Sequence, residues 1–196
     1  MKTRACLAIA LPLLAALGAC RTSPPPLPVH QSMERNGLLF KVHDLEPYTG
    51  EVASTHLNGA IKTRALYQQG VLHGNRTEYR SDGQPLAVSG WKNGRQHGAE
   101  TLWYENGQKA YEGWWENGRP AGTFEGWYPD GKPAFRITLK DGAGQGRRVR
   151  LAWNETWVKE FADVAIEGAW IEWHKHTGRI TRQELYKNGD LIEKRN

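Results

Sequence analysis

The side chains able to do covalent chemistry are few and poorly placed for it. Five serines are present, Ser23, Ser32, Ser54, Ser81 and Ser89, and none stands in a Gly-x-Ser-x-Gly elbow. No glycine-rich phosphate loop and no His-Glu-x-x-His occurs. Glu105 and Glu116 sit beside turn sequences, where solvated charge accounts for them, whereas a glycosidase needs two carboxylates about 5–10 Å apart in a cleft. His73 and His97 hold equivalent places before Gly74 and Gly98, and the later units put Ala121 and Gln145 there, so both read as turn-edge side chains. His174-Lys175-His176 sets two imidazoles on one side of an extended segment, a pair that could hold a transition metal, yet no acidic or cysteine ligand stands nearby. The reading is a protein that is not an enzyme, with no metal and no cofactor.

The two cysteines belong to the start of the chain. Lys2 and Arg4 precede an apolar run from Ala5 to Leu17, interrupted by Pro12, and Leu17-Gly18-Ala19-Cys20 follows. A basic start, a short apolar stretch and small residues before a cut are the parts of a secretory signal peptide. The run is shorter than the roughly 20 residues a membrane-spanning helix needs. The last four residues resemble a bacterial lipobox. The resemblance implies cleavage between Ala19 and Cys20, lipid on Cys20, and a membrane partner reached through that lipid; a plain secretory signal with a chance cysteine is the alternative. Cys6 leaves with the signal, so no disulfide is expected in an oxidising compartment that permits one. Residues 20–35 hold Pro24-Pro25-Pro26-Leu27-Pro28 and read as an extended, semi-rigid linker. Arg21 is not the aspartate that retains many such lipoproteins at the inner membrane, which points to the outer membrane, facing the periplasm. Loss of Lys2 and Arg4 lowers the formal charge from +5 to +3, and with that compartment it argues against a nucleic-acid partner. One basic cluster remains, Arg147, Arg148 and Arg150, able to meet anionic head groups or an acidic partner, or to form a solvated loop edge.

The elements that must carry these residues follow from the glycines. Three sets recur every 24 residues, Gly59/83/107/131, Gly70/94/118/142 and Gly74/98/122/146. Most members of the first two sets follow Asn or Asp, a pair that favours type I′ hairpin turns. Tyr67, Trp91, Trp115 and Leu139 share one column of the repeat, and Tyr79, Trp103, Trp127 and Leu151 share another. Short runs of Trp, Tyr, Val, Thr and Ile between turns read as antiparallel strands. The period slips near Asn154, so 149–168 reads as an irregular unit with Trp153, Trp157 and Phe161 filling a gap, before Gly178 and Gly189 restore it. The fold class is all-β, a single-layer antiparallel meander of tandem hairpins, elongated and twisted.

Tyr104-Glu105-Asn106-Gly107-Gln108, followed by Tyr111-Glu112-Gly113-Trp114-Trp115-Glu116-Asn117-Gly118, resembles the bacterial MORN-type variant repeat. The opening Asn36-Gly37-Leu38 and Glu46-Pro47-Tyr48-Thr49-Gly50-Glu51-Val52 is similar to the start of YwqK-type antitoxin proteins. The resemblance spans roughly 36–192, leaving 1–19 as signal, 20–35 as linker and 193–196 as a tail. It implies a ribbon of hairpins with a partner-binding or partner-neutralising role, and no catalytic residue carries over. Adjacent residues in a strand face opposite ways, so Trp114 is the surface member beside the repeating Trp115, and the same logic marks Tyr104 and Tyr128 beside Trp103 and Trp127. These three aromatics, with the arginine cluster, are the expected contacts of a protein partner such as a toxin or envelope protein. The competing reading is an envelope scaffold that binds glycan or lipid.

Overall fold

The computed structural model describes residues 24–140, 149–152, 158–161 and 164–195. Ala19, Cys20, Arg147, Arg148, Trp153 and Trp157 lie outside the described residues, and Arg150 is described only as backbone within a strand. The strands in chain order are β1 (Leu27–Pro28), β2 (Ser32–Arg35), β3 (Leu38–Lys41), β4 (Gly50–Thr55), β5 (Ile61–Gln68), β6 (Val71–Tyr79), β7 (Pro85–Lys92) and β8 (Arg95–Trp103). They continue as β9 (Lys109–Glu116), β10 (Arg119–Trp127), β11 (Pro133–Lys140), β12 (Val149–Ala152), β13 (Val158–Phe161), β14 (Ala165–Trp173), β15 (Ile180–Lys187) and β16 (Asp190–Arg195). Among the described residues there is no α-helix, only a 3₁₀ turn at Val29–Gln31.

Twelve strands form one open sheet in the order β1-β4-β5-β6-β7-β8-β9-β10-β11-β14-β15-β16. From β4 on, every neighbour pair is antiparallel, the meander expected from the repeat. The first strand, β1, pairs with β4 in parallel and buries Leu27, so ordered structure begins inside the segment read as a linker. At the other end β16 carries regular pairing through Arg195, into the residues read as a tail.

The two long margins of the sheet use different turns. On one margin Asn93-Gly94, Asn117-Gly118 and Asn188-Gly189 have positive φ at both residues, for example 52° and 83° at Asn117 and Gly118, as a two-residue type I′ turn requires. On the other margin only the glycine is left-handed, as at Gly107 with φ 79°. At Gly59, Gly83, Gly107 and Gly131 the loops have three residues, and the Asn or Asp accepts the N–H two residues on, as Asn106 Oδ1 does from Gln108 N at 3.1 Å; the turn at Gly178 is one residue longer, with Thr177 Oγ1 accepting from Arg179 N at 3.3 Å. The expectation of type I′ turns throughout therefore holds for one margin and is corrected on the other. The third glycine set lies inside strands, opposite the first aromatic column: Gly50 faces Tyr67, Gly74 faces Trp91, Gly98 faces Trp115 and Gly122 faces Leu139.

The slip in the period is an insertion at a turn. Lys140 pairs directly with Ala165, in the way Glu116 pairs with Arg119 across Asn117-Gly118, so residues 141–164 replace a two-residue turn. The following strand is regular: Gly168 faces Tyr186 and continues the glycine column. The irregular unit is thus 141–164 rather than 149–168. The column expected to run through Leu151 runs through Trp173 instead, while Leu151 lies in the separate β12–β13 hairpin.

That hairpin lies on one face of the sheet and completes its core. Leu151 and Phe161 are buried with Tyr111, Phe124, Phe135, Ile137, Leu139, Ile166 and Trp170. The Phe161 ring stands 4.8 Å from that of Phe124 and 5.9 Å from that of Trp115, with tilted or edge-on geometry that aromatic pairs prefer. Lys159 Nζ reaches Glu100 at 2.7 and 2.9 Å, tying the hairpin to β8. Phe161 fills the gap as expected; the sheet is one layer with a local cover over its C-terminal half.

Candidate functional site

The face opposite the hairpin is the surface available for contact. Trp114 lies on it, 50% exposed, and pairs across the strands with Ala99 and Ala121, whose short side chains leave the indole standing above its neighbours. Trp115, the next residue, points to the covered face and packs against the core. The uncovered face carries charge in balanced pairs, Arg136 with Glu125 and Lys109 with Glu112 on the strands near Trp114, and Arg64 with Glu51 at 3.5 Å toward the N-terminal end of the sheet. Such pairs add little stability at a surface, and the same face also exposes Leu66 and Leu185.

Tyr104 and Tyr128 do not join Trp114. They are 7% and 9% exposed, and each hydroxyl is spent inside the molecule: Tyr104 donates to the Trp127 carbonyl at 2.7 Å and Tyr128 to the Trp173 carbonyl at 2.8 Å. Their expected role as partner contacts is corrected by this geometry. Both stand immediately before a three-residue turn, pairing with Gln108 and Lys132 to close it, and reach across to the next turn along the margin. Arg80 does the same to the Trp103 carbonyl at 2.7 Å, and the His56 ring meets the Tyr79 carbonyl at 2.9 Å. A column of four side chains of three kinds therefore links consecutive turns, each meeting a backbone carbonyl. Burial, then the charges of Glu172 and Asp130, push the Tyr128 hydroxyl above its ordinary range, which keeps it a donor.

Beneath this ladder sits an aromatic series missed as a site by sequence reasoning. Tyr79, Trp103, Trp127 and Trp173 each occupy the last strand position before a turn, opposite Pro85, Lys109, Pro133 and Ile180. They are half-buried and none belongs to the buried cluster. Lys109 Nζ lies 5.4 Å from the Trp127 ring centre, within reach of its π-face. The signal was legible as a repeating column, but it was read only as packing.

For chemistry of other kinds the described residues offer little. No group of three or more His, Cys, Asp or Glu side chains converges among them. The His174 and His176 rings are 5.8 Å apart, and His174 Nδ1 faces the amides of His176 and Thr177 at 3.3 and 3.4 Å, a loop-closing arrangement. The recesses are small, one of about 110 Å³ between Tyr128, Phe135, Leu151 and Thr181, and one of about 230 Å³ lined by Gln108, Lys109, Trp127 and Gly131.

No curated protein matches the chain. Among solved structures the chain is similar to one from the "Crystal structure of accessory secretory protein 1,2 and 3 in Streptococcus pneumoniae", at 17% identity and a TM-score of 0.30, covering 63% of this chain. The match spans 23% of that longer chain. The model of the MORN repeat variant matches residues 96–117, the span of β8, its Asn106-Gly107 turn and β9. The protein thus carries a MORN-type repeat, and that repeat is one hairpin of its sheet.

Proposed function

We propose that this is a non-enzymatic binding protein, anchored by lipid on Cys20 at the outer membrane and facing the periplasm, that presents the uncovered face of its sheet to another protein. The observation that carries the reading is the division of labour between faces. One face is committed to the core beneath β12–β13, and the other holds Trp114 half in solvent on a strand paired on both sides. A large, rigid aromatic among small neighbours is the side chain most often found dominating a protein interface. The YwqK-like opening gives the partner its direction: a toxin occluded by the sheet, in the manner of an antitoxin or immunity protein.

The test is a photo-crosslinking residue at position 114 of the full chain in cells, with membrane fractionation of the same cells. The reading expects one discrete cross-linked protein, and a Trp114→Ala chain that binds that protein at least about thirtyfold more weakly, the effect of losing a 2 kcal/mol hot spot. A Trp114→Ala chain that binds its partner undiminished would remove the anchor. Recovery of the Cys20→Ser chain in the same membrane fraction as the wild type would remove the lipid.

A further inference from the structure

We infer that the margin carrying Tyr79, Trp103, Trp127 and Trp173 is a binding site for a linear β-1,4-linked glycan, with one disaccharide per hairpin repeat. The inference is independent of the protein partner proposed at Trp114.

Spacing carries the argument. The four aromatics stand on β6, β8, β10 and β14, every second strand of the sheet. Strands lie about 4.8 Å apart, so successive rings are set about 10 Å from one another along the margin. In a β-1,4-linked pyranose chain each sugar is turned over relative to the last, so the same face recurs at every second unit, at the length of one disaccharide. A row of rings at that interval can stack on alternate sugars without the chain bending. The progressive twist of the sheet rotates each ring relative to the one before, which matches a glycan that itself twists.

The polar lining suits the same ligand. The recess of about 230 Å³ beside Trp127 is walled by Gln108 and Lys109 from the preceding turn and floored by Gly131. It joins an indole, an amide and an ammonium, a combination that meets the apolar face of a pyranose and its rim of hydroxyls together. The unit before repeats the pattern: Gln84 is exposed at the turn preceding Trp103, as Gln108 is at the turn preceding Trp127. The backbone of each glutamine is fixed, Gln84 O accepting from Arg80 N at 2.8 Å and Gln108 O from Tyr104 N at 2.9 Å. The carbonyls of all four aromatics are held by the ladder of His56, Arg80, Tyr104 and Tyr128. The backbone that carries each ring is therefore fixed before any ligand arrives, which reduces the ordering cost of binding. Trp103-Gln84 and Trp127-Gln108 form the two central subsites, with the ladder residues acting as positioning residues.

The test is calorimetric titration of the full chain with two oligosaccharide series, N-acetylglucosamine oligomers and glucose oligomers, each as monomer, dimer, tetramer and hexamer. The site predicts binding in at least one series, and the series that binds identifies the sugar. Affinity rises about tenfold from dimer to tetramer, since a second stacking contact adds about 1.4 kcal/mol. Trp127→Ala, which leaves Tyr79 beside Trp103, weakens the tetramer severalfold, and the double change Trp103→Ala with Trp127→Ala returns it to dimer affinity. Gln108→Ala, an exposed change that leaves the ladder intact, weakens the tetramer severalfold, and Ile192→Ser on the far edge strand changes nothing. Absence of binding in both series, affinity independent of length, or tetramer binding unaltered by both Gln108→Ala and Trp127→Ala would overturn the inference.

Discussion

Replacing Tyr104 with phenylalanine separates a structural tyrosine from a binding one. The ring stays, with its burial at 7% exposure, and only the hydroxyl that donates to the Trp127 carbonyl at 2.7 Å is lost. A hydrogen bond of this kind contributes about 0.5–1.5 kcal/mol net, and a carbonyl left partly unsatisfied keeps the cost near the upper end. Tyr104→Phe is expected to lose about 1 kcal/mol, read as a fall in Tm of about 2–4 °C for a domain of this size. Tyr104→Ala, which also empties the ring's volume, is expected to lose about 3 kcal/mol or more. Because each hairpin leans mainly on its neighbours, the loss should be local. Hydrogen exchange should quicken in the amides around Pro129-Asp130-Gly131, the turn Tyr104 reaches toward, with little change near Gly59. Thermal melts and exchange mapped by mass spectrometry measure both effects. Binding of the partner at Trp114 is expected to be unchanged. A Tyr104→Phe chain with wild-type Tm and weakened partner binding would refute the reasoning and restore the hydroxyl to the contact surface.

Two further perturbations test the covered face. Gly126 has no unusual φ, but an added Cβ would lie 2.1 Å from Phe135 Cε1, so Gly126→Ala is expected to lose about 1–3 kcal/mol by overpacking, with partial recovery when combined with Phe135→Leu in denaturant titrations. Tyr111 is held far above the usual tyrosine range, first by burial and then by the charge of Glu100. Below pH ~10 it is neutral folded and unfolded; above that only the unfolded chain ionises, so stability should fall by up to about 1.4 kcal/mol per pH unit. Tyr111→Phe should flatten that alkaline slope in Tm against pH, and an identical slope in the variant would show that the loss arises elsewhere.

How much of this could be read from the sequence depended on whether a position repeats its residue type or only its role. Asn-Gly turns, in-strand glycines and the Tyr/Trp columns repeat as letters, so the hairpin ladder and its period were legible. The donor ladder repeats only as a function: His56, Arg80, Tyr104 and Tyr128 share an N–H or O–H at the right reach and little else. With two tyrosines beside two tryptophans, the alternation of strand faces made Tyr104 and Tyr128 look exposed, because alternation fails at the turn where they actually stand.

The inserted hairpin explains the remaining divergence, and it does so residue by residue along one row of the covered face. Cross-strand pairing carries that row through Val52, Ala65, Arg76, Ser89 and Glu100, and farther along the sheet through Ile137 and Trp170. Val52 and Ala65 begin the row buried, and it turns polar at Arg76 and Ser89, which are part-exposed, with Arg76 paired to Glu78 at 2.8 Å. Glu100 stands at the boundary and receives Lys159 from the hairpin. Beneath the hairpin the row turns apolar at Ile137 and Trp170, because Leu151 and Phe161 remove that part of the face from water, and it ends at Glu184, a buried carboxylate that accepts from Tyr186 at 2.8 Å. Equivalent positions of one repeat thus follow two different rules, set by a cover whose own sequence lies outside the period. An unpaired charge in this row should be tolerated between β6 and β8 and disruptive at β11, beneath the hairpin, so Ile137→Arg is expected to unfold the C-terminal half, whereas Ser89→Arg, which gives up the bond from Trp91 Nε1 at 2.8 Å, should lose only about 1 kcal/mol. Equal losses from the two substitutions, measured in the same melts, would mean that the hairpin does not define the core.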